Sequence, residues 1–254
     1  MKIILRKTFT LIHLIYQRDP RLRFLIMRMV AGWILPGYRF HWPQLLWWND
    51  VSFTDYLKKF DELQDSNSHR RWMLAQLMRL VSEVSGDTAE CGVFKGASSY
   101  LICKANQTAH DRRVHHVFDS FAGLSRPSAL DGGFWSGGDL ACSLDVVKAN
   151  LSEFGEDAVR LHPGWIPDRF PEVDAQRFSF VHIDVDLYEP TRDSLDFFYP
   201  RMQVGGIILC DDYGCTTCPG ATAAFDEYLQ EKPEPMIGLP CGGGFLIKRE
   251  PQLQ

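Results

Sequence analysis

Several features that would assign this sequence to a specialised class of protein are missing. The uncharged stretch Thr8–Gln17 is ten residues long, about half of what a membrane-spanning helix needs. No small-residue cleavage site follows that stretch, and the sequence contains neither internal repeats nor a low-complexity tract. The net charge of −5 gives no overall positive surface for binding nucleic acid. A folded, non-fibrous protein without a nucleic-acid partner is therefore expected.

The cysteines give little sign of a disulfide framework or a zinc finger. There are seven, an odd number, and they are scattered along the chain, which is typical of a reducing compartment. Cys215 and Cys218 form a CxxC pair, but no second pair follows at zinc-finger spacing. We therefore expect free thiols and a cytoplasmic protein.

The N-terminal part of the chain is basic and amphipathic. Residues 1–28 contain seven Lys and Arg against the single acid Asp19, and apolar residues recur there at helical spacing. This pattern predicts a helix that is broken near Pro20 and resumes over Leu22–Val30. We assign residues 1–65 to a helical extension of a domain spanning 66–254. The extension would pack on its own domain or on a second subunit of a homo-oligomer, or residues 1–30 would lie on the inner face of a membrane.

From residue 66 onward, strand and helix patterns alternate. The predicted strands are Thr88–Phe94, Val114–Phe118, Ala158–Leu161, Phe178–Val185, Gly206–Cys210, Pro235–Leu239 and Gly244–Lys248. The predicted helices are Arg70–Val84, Ala97–Asn106, Leu144–Phe154, Arg192–Tyr199 and Ala221–Gln230. This alternation predicts an α/β fold with a mostly parallel sheet and helices on both faces.

Acidic residues lie at the carboxyl ends of four predicted strands. They are Glu90 before Gly92, Asp119, the pair Asp184 and Asp186, and the pair Asp211 and Asp212. In parallel sheets these ends share one edge, where ligands bind. Because acids are costly to bury, their repetition at four strand ends predicts a binding site.

The first two of these strands indicate the kind of ligand. Gly92 lets backbone approach a ligand closely, while the carboxylate of Glu90 would repel a pyrophosphate and suit a cationic group. An acid in the position of Asp119 accepts the ribose hydroxyls in nucleoside-binding α/β folds. A nucleoside with a cationic amino-acid tail and no phosphate is S-adenosylmethionine.

From about residue 66 to 249, the chain resembles the macrocin O-methyltransferase (TylF-type) family of class I S-adenosylmethionine-dependent sugar O-methyltransferases. The stretches that match are AECGVFKGAS, VFDSFAGL, GGFWSGGDLACSLDVVKANL, HPGWIPD, HIDVDLYEPT, YPRMQVGGIILCDDYG and GATAAFDEY. The resemblance implies a seven-stranded Rossmann-like sheet and methylation of a sugar hydroxyl. It also implies a divalent cation, usually Mg²⁺.

The resemblance also implies roles for individual residues. Asp184, Asp211 and Asp212 would hold the metal, and Asp186 would be the general base. The positions at which the family binds S-adenosylmethionine correspond to Glu90, Gly92, Asp119, Ser120, Phe121 and Trp165, with Arg70 as the candidate partner of the methionine carboxylate.

The residue chemistry is compatible with these roles. Three carboxylates suit a hard cation that also takes substrate hydroxyls, and such a cation lowers the pKa of a bound hydroxyl. Asp186, two residues beyond Asp184, is expected to share its strand face, where it could remove a proton without being a ligand. His182 would lie one step deeper on that face, as a buried structural histidine.

The segment from Phe121 to Ala141 is rich in glycine and contains Phe134 and Trp135. We interpret it as a lid that closes over cofactor and sugar, the alternative being an irregular surface loop.

Two other functions use similar residues. A metal-dependent methyltransferase of catechol type would chelate vicinal phenolic hydroxyls in the same way. A glycosyltransferase of DxD type would bind a metal and a nucleotide-sugar diphosphate, but Glu90 and the second acidic pair Asp211-Asp212 argue against it.

Overall fold

The computed structural model describes residues 20–36 and 45–250. The chain divides into two compact units, Met1–Tyr56 and Leu57–Gln254. The predicted helix over the first 19 residues lies outside the described residues, and the predicted domain boundary at 65/66 stays a prediction. In the described part of the first unit, α1 spans Pro20–Ile34. None of the helices among the described residues combines the length and apolar character needed to cross a bilayer.

The second unit is an α/β layer structure, as the alternating pattern predicts. Its seven strands are β1 Asp87–Cys91, β2 His115–Asp119, β3 Val159–Pro163, β4 Phe178–Ile183, β5 Met202–Cys210, β6 Ile237–Gly238 and β7 Gly244–Ile247. Its helices are α2 Val51–Lys59 (which starts in the first unit), α3 Ser68–Leu80, α4 Ala97–Asn106, α5 Leu144–Leu151, α6 Tyr188–Phe198 and α7 Pro219–Leu229.

The sheet has the order β3-β2-β1-β4-β5-β7-β6. β1 to β5 are parallel, whereas β7 pairs antiparallel with β5 and with β6. The chain proceeds outward from β1 to β3 and then returns to place β4 beside β1. The switch point of the sheet, where ligands bind in such folds, therefore lies between β1 and β4.

Both faces of the sheet are covered by helices, which explains why β4 is apolar at every position except Ser179 and His182. Every residue of β4 is buried, as expected for a central parallel strand. On one face, Val181 and Ile183 belong to a core that includes Leu195 of α6 and Phe225 of α7. On the opposite face, Phe180 joins a core built from α3 and α4.

Several element boundaries differ from the sequence prediction by a few residues, and two of them have a clear backbone cause. β1 ends at Cys91 because Gly92 has a φ of +83°, which is incompatible with a continuing strand. Helix α6 begins at Tyr188 rather than at Arg192, because Pro190 fits the first turn of a helix, where no backbone N–H is needed.

Candidate active site

A cavity of about 660 Å³ opens at the carboxyl ends of β1, β2, β4 and β5. Its lining includes Gly92 and Asp119 at one end and Asp184, Asp211 and Asp212 at the other. The strand ends that were predicted to converge thus do so, and they line one continuous space.

Gly92 lies where the cavity meets the switch point. A Cβ at this position would lie 1.8 Å from the carbonyl oxygen of Asp184, a distance no side chain tolerates. The glycine is therefore required by the close packing of β1 against the end of β4.

Asp119 organises the junction between β1 and α4. Its Oδ2 accepts a hydrogen bond from the Val93 N–H at 2.8 Å, and its Oδ1 accepts one from the Phe121 N–H at 2.7 Å. Burial raises the pKa of Asp119, although these backbone donors act in the opposite direction. The carboxylate lines the cavity and is held rigidly by the two loops that carry Val93 and Phe121.

Of the other residues predicted for the cofactor, Ser120, Trp165 and Arg70 line the cavity. The indole of Trp165 is 46% exposed, so its ring is accessible to a ligand. Phe121 is not in the described lining. Its ring instead packs against the cluster formed by Val93, Val117, Val147 and Leu151, because a φ of +55° at Phe121 turns it away from the strand direction.

Glu90 also does not line the cavity, which corrects the argument that its carboxylate faces a cationic ligand. It lies one residue before the end of β1 on the face covered by α4, and it is fully buried. Ser99 of α4 donates to Glu90 Oε2, and His182 Nδ1 lies 2.7 Å from Glu90 Oε1. Burial alone would raise the pKa of Glu90, but hydrogen bonds from His115 and His182 lower it.

Four carboxylates and one guanidinium form the deep end of the cavity. Asp184 has a pKa raised well above its usual range by burial and by the nearby Asp211 and Asp212. Asp211 behaves differently: burial would raise its pKa, but His182 and Arg70 lower it. Arg70 Nη1 donates to Asp211 Oδ2, and Arg70 Nη2 lies 3.1 Å from Cys215 Sγ. Among these four carboxyl groups, Asp211 is therefore the one whose pKa lies below its usual range.

Asp186 does not share a strand face with Asp184, contrary to the alternation argument. β4 ends at Ile183, and Asp186 has a φ of +59°, in the left-handed region. Its backbone N–H donates to Asp212 Oδ2 at 2.9 Å, and Cys218 Sγ donates to Asp186 Oδ1 at 3.3 Å. The turn brings Asp186 beside Asp212 instead.

The closeness of these two carboxyl groups changes their acidity. Burial and the neighbouring Asp184 raise the pKa of Asp186 to about 7. Burial and the neighbouring Asp186 raise the pKa of Asp212 to about 8. Both carboxyl groups are therefore much weaker acids than an exposed aspartate.

Potential ligand atoms at this end fall into two sets, each within 4.8 Å. One consists of His182, Asp184 and Asp211, and the other of Asp186, Asp212 and Cys218. The three predicted metal ligands are thus divided between the sets. Burial, and after it mutual repulsion, raise the pKa values of Asp184, Asp186 and Asp212, and a divalent cation would relieve that repulsion. Carboxylate oxygens are the donors that Mg²⁺ and similar hard cations prefer. The residues present therefore fit such a cation.

Sequence reasoning did not identify the thiol of Cys218 as part of this end of the cavity. Cys218 is buried and also accepts a hydrogen bond from Trp135 Nε1 at 3.3 Å. A CxxC that follows an acidic strand end was the available signal. His182, expected to be a structural histidine, is fully buried and lies between Glu90 and Asp211.

The glycine-rich segment is anchored at its centre. Asp131 is 2% exposed, and its Oδ2 accepts hydrogen bonds from the Ser128 N–H and Oγ, each at 2.7 Å. Its Oδ1 accepts one from the Tyr188 N–H at 2.6 Å, at the first residue of α6. The segment that contains Trp135 is thus tied to the helix that follows the DxD turn.

Comparisons with known proteins agree on one family. A sequence profile described as macrocin-O-methyltransferase (TylF) matches residues 69–243. The chain is 35% identical over 153 residues to 8-demethyl-8-(2,3-dimethoxy-α-L-rhamnosyl)-tetracenomycin-C 4′-O-methyltransferase of Streptomyces olivaceus, with 56% of this chain and 58% of the relative covered. It is 34% identical over 162 residues to demethyldecarbamoylnovobiocin O-methyltransferase of Streptomyces niveus, with 58% of this chain and 59% of that relative covered. The match thus spans a little under three fifths of each relative's length.

Solved structures agree on the fold. The O-methyltransferase NovP is 27% identical, with a TM-score of 0.57 over 70% of this chain and 79% of that chain. The calicheamicin methyltransferase CalS11 has a TM-score of 0.63 over 84% of this chain and 96% of that chain, at 21% identity. The second unit therefore has the class I methyltransferase fold that the resemblance implied.

Proposed function

Because the chain belongs to the macrocin O-methyltransferase family, we propose that it transfers the methyl group of S-adenosylmethionine to a hydroxyl of a sugar on a natural product or glycan. The observation that carries this proposal is the single cavity described above. It joins a rigidly held acid at the end of β2 to an acid cluster at the ends of β4 and β5. Cofactor and acceptor would bind at these two ends, with the methyl group between them.

At the cofactor end, Asp119 would accept hydrogen bonds from the ribose hydroxyls, beside the backbone at Gly92 and Ser120. Trp165 offers an exposed ring for the adenine. Phe121 and Glu90 would support this end from behind, since neither lines the cavity. Because Asp119 is fixed by two backbone donors, its orientation is already set for a ligand.

At the acceptor end, Asp186 would act as the general base. It lies in the cavity wall, and its raised pKa of about 7 suits a group that must take a proton near neutral pH. Asp184, Asp211 and Asp212 would hold a divalent cation, which when bound would lower the pKa of a sugar hydroxyl. The protein itself would contribute mainly alignment, because methyl transfer requires oxygen, carbon and sulfur in line.

Arg70 would stabilise the acidic residues at the acceptor end, in addition to any contact with the methionine carboxylate. It contacts Asp211 and Cys215, and burial would lower its pKa whereas Asp211 raises it. It therefore remains charged among the carboxylates and balances part of their charge.

The cavity wall contains many acidic side chains and few basic ones. Eight carboxylates line it: Asp65, Asp119, Asp184, Asp186, Glu189, Asp193, Asp211 and Asp212. The two arginines among the described lining residues are both paired with acids, Arg70 with Asp211 and Arg71 with Glu62. A nucleotide-sugar diphosphate, as a DxD glycosyltransferase would need, is disfavoured by this wall.

The N-terminal helix α1 would contact a second copy of the chain or an anionic membrane surface. It contains Arg21, Arg23 and Arg28 and no acid. Several of its apolar side chains are exposed, among them Met29 and Trp33. Such a combination suits either partner, and the deletion experiment in the Discussion distinguishes them.

Isothermal titration calorimetry tests the proposed function directly. The full chain should bind S-adenosylmethionine and should not bind a nucleotide sugar, each measured with and without Mg²⁺. Incubation with radiolabelled S-adenosylmethionine and a panel of glycosides should then yield labelled sugar. Binding of the nucleotide sugar in place of S-adenosylmethionine would support the glycosyltransferase instead.

A further inference from the structure

We propose that His182, anchored by Glu90, is a positioning residue that fixes the carboxylate of Asp211 for the divalent cation. The proposal rests on the proposed function, because it assumes that Asp211 is a ligand of that cation. It assigns a role to two buried side chains that do not line the cavity.

The three groups lie side by side across three adjacent strands. Glu90 of β1 and His182 of β4 are register partners, and the Asp211 N–H donates to the Ile183 carbonyl at 3.0 Å. His182 Nδ1 is 2.7 Å from Glu90 Oε1, and His182 Nε2 is 3.5 Å from Asp211 Oδ1. The imidazole therefore connects an acid in the core to an acid in the cavity wall.

Within this row of three side chains, Glu90 is held in place by the protein core, whereas the contact between His182 and Asp211 is longer. Glu90 and His182 are fully buried, and Ser99 holds the second oxygen of Glu90. His182 Nε2 is buried without a hydrogen bond among the described residues, and it faces Asp211 Oδ1 at 3.5 Å. A buried imidazole nitrogen that faces a single carboxylate oxygen restricts the rotation of that carboxylate.

The other oxygen of Asp211, Oδ2, accepts a hydrogen bond from Arg70, which lines the cavity with Asp211. Asp184 lies two residues beyond His182 within the same set of potential ligand atoms. Groups that hold a metal ligand in place typically change metal affinity by about 10- to 100-fold when removed. Glu90, His182 and Asp211 would thus form one support beneath the cation.

The test compares His182→Phe with a matched variant, His116→Phe. His116 is also a buried strand histidine with two polar partners, His162 at 3.1 Å and Asp87 at 3.3 Å. It reaches no residue of the acid cluster. Both variants lose a buried imidazole, so effects on folding alone should be similar in the two.

Mn²⁺ affinity is measured by electron paramagnetic resonance on the full chain, with S-adenosylhomocysteine affinity measured separately in EDTA. His182→Phe should weaken Mn²⁺ binding about 10-fold or more, with less than about 3-fold change in S-adenosylhomocysteine binding. His116→Phe should leave Mn²⁺ affinity unchanged. Glu90→Gln, which keeps the shape of the anchor, should weaken Mn²⁺ binding by a smaller factor, and it replaces His182→Phe if that variant does not fold.

Unchanged Mn²⁺ affinity in both His182→Phe and Glu90→Gln would overturn the proposal while leaving the proposed function intact. Equal losses in His182→Phe and His116→Phe would also overturn it. A wild-type chain that binds S-adenosylmethionine but no Mn²⁺ would overturn both this proposal and the assigned cation, yet not the methyl transfer.

Discussion

Asp184 and Asp186 are separated by one residue but have different surroundings. Asp184 directly follows β4 and shares a set of potential ligand atoms with His182 and Asp211, whereas the left-handed turn at Asp186 places that residue beside Asp212. Each is therefore suited to a separate role, one as a ligand and one as a base.

Conservative substitutions should separate these roles. Asp184→Asn should lower Mg²⁺ affinity, and excess Mg²⁺ should restore part of the rate. Asp186→Asn should lower kcat by about 10²- to 10⁴-fold, the usual contribution of a positioned base, without recovery by Mg²⁺ but with partial recovery at higher pH. Initial rates across Mg²⁺ concentration and pH provide the measurement.

Asp196→Asn, which removes an exposed acid on α6, is the matched control and should keep the wild-type rate. An equal loss of Mg²⁺ affinity in the Asp184 and Asp186 variants would mean that both are ligands. The base would then be another group.

Asp119 combines a structural role with a binding role. Asp119→Ala should weaken S-adenosylmethionine binding by roughly 1.5–3 kcal/mol, because hydrogen bonds to a charged acceptor are lost. It should also lower the melting temperature, since the Val93 and Phe121 N–H groups lose their acceptor. Calorimetry and thermal unfolding measure the two effects. The exposed acid Asp157 supplies a control substitution, and unchanged cofactor affinity in Asp119→Ala would remove Asp119 from the ribose site.

At the scale of elements, the glycine-rich segment and α6 depend on each other. Asp131 links them, because it accepts from Ser128 within the segment and from the first N–H of α6. It also fills space that α7 leaves open, since a Cβ on Gly220 would lie 2.0 Å from Asp131 Oδ1.

Removing this link should loosen the segment. Asp131→Ala should destabilise the fold by about 1–3 kcal/mol, the cost of leaving buried donors unpaired, and should speed proteolytic cleavage between residues 121 and 141. Asp139→Ala, which removes one acceptor from the Ser136 N–H in the same segment, should have a smaller effect. Chemical denaturation and limited proteolysis measure both, and identical results for the two variants would contradict the anchoring role.

For the whole molecule, the crowded carboxyl groups should make metal-free stability depend on pH. The pKa of Asp212 is raised from 3.8 to about 8. Between these values the folded chain binds a proton that the unfolded chain has released, so the Asp212 contribution to stability falls as pH rises. A neutral amide at this position removes that contribution.

In EDTA, the melting temperature of Asp212→Asn minus that of wild type should therefore be higher at pH 8 than at pH 5. Differential scanning calorimetry at both values measures this. Asp157→Asn should show the same difference from wild type at both. A difference for Asp212→Asn that does not vary with pH would mean that Asp212 is not protonated in the fold.

The basic N-terminal region should be dispensable for chemistry on a soluble sugar but needed for association. Deleting residues 1–36 should leave methyl transfer intact. If α1 contacts a second copy, the mass in solution should fall; if it contacts anionic lipid, sedimentation with phosphatidylserine liposomes should be lost. Unchanged mass and unchanged sedimentation would leave neither role.

The order of strands and helices, the parallel sheet and the edge at which the acids gather are all legible in the sequence. Apolar periodicity identifies strands, and the carboxyl ends of parallel strands necessarily meet at one edge. For this reason the sequence predicts that the strand ends with Gly92, Asp119, Asp184 and Asp211 converge.

Tertiary structure alone decided which way each side chain points and what it meets. Glu90 lies one residue before the end of β1, so it faces α4 and not the cavity, and a left-handed residue at Asp186 ends the alternation assumed from β4. The pairs Glu90–His182 and Arg70–Asp211 join residues 92 and 141 positions apart. Contacts of this kind depend on where each strand ends and which helix covers it. Local sequence patterns specify neither of these.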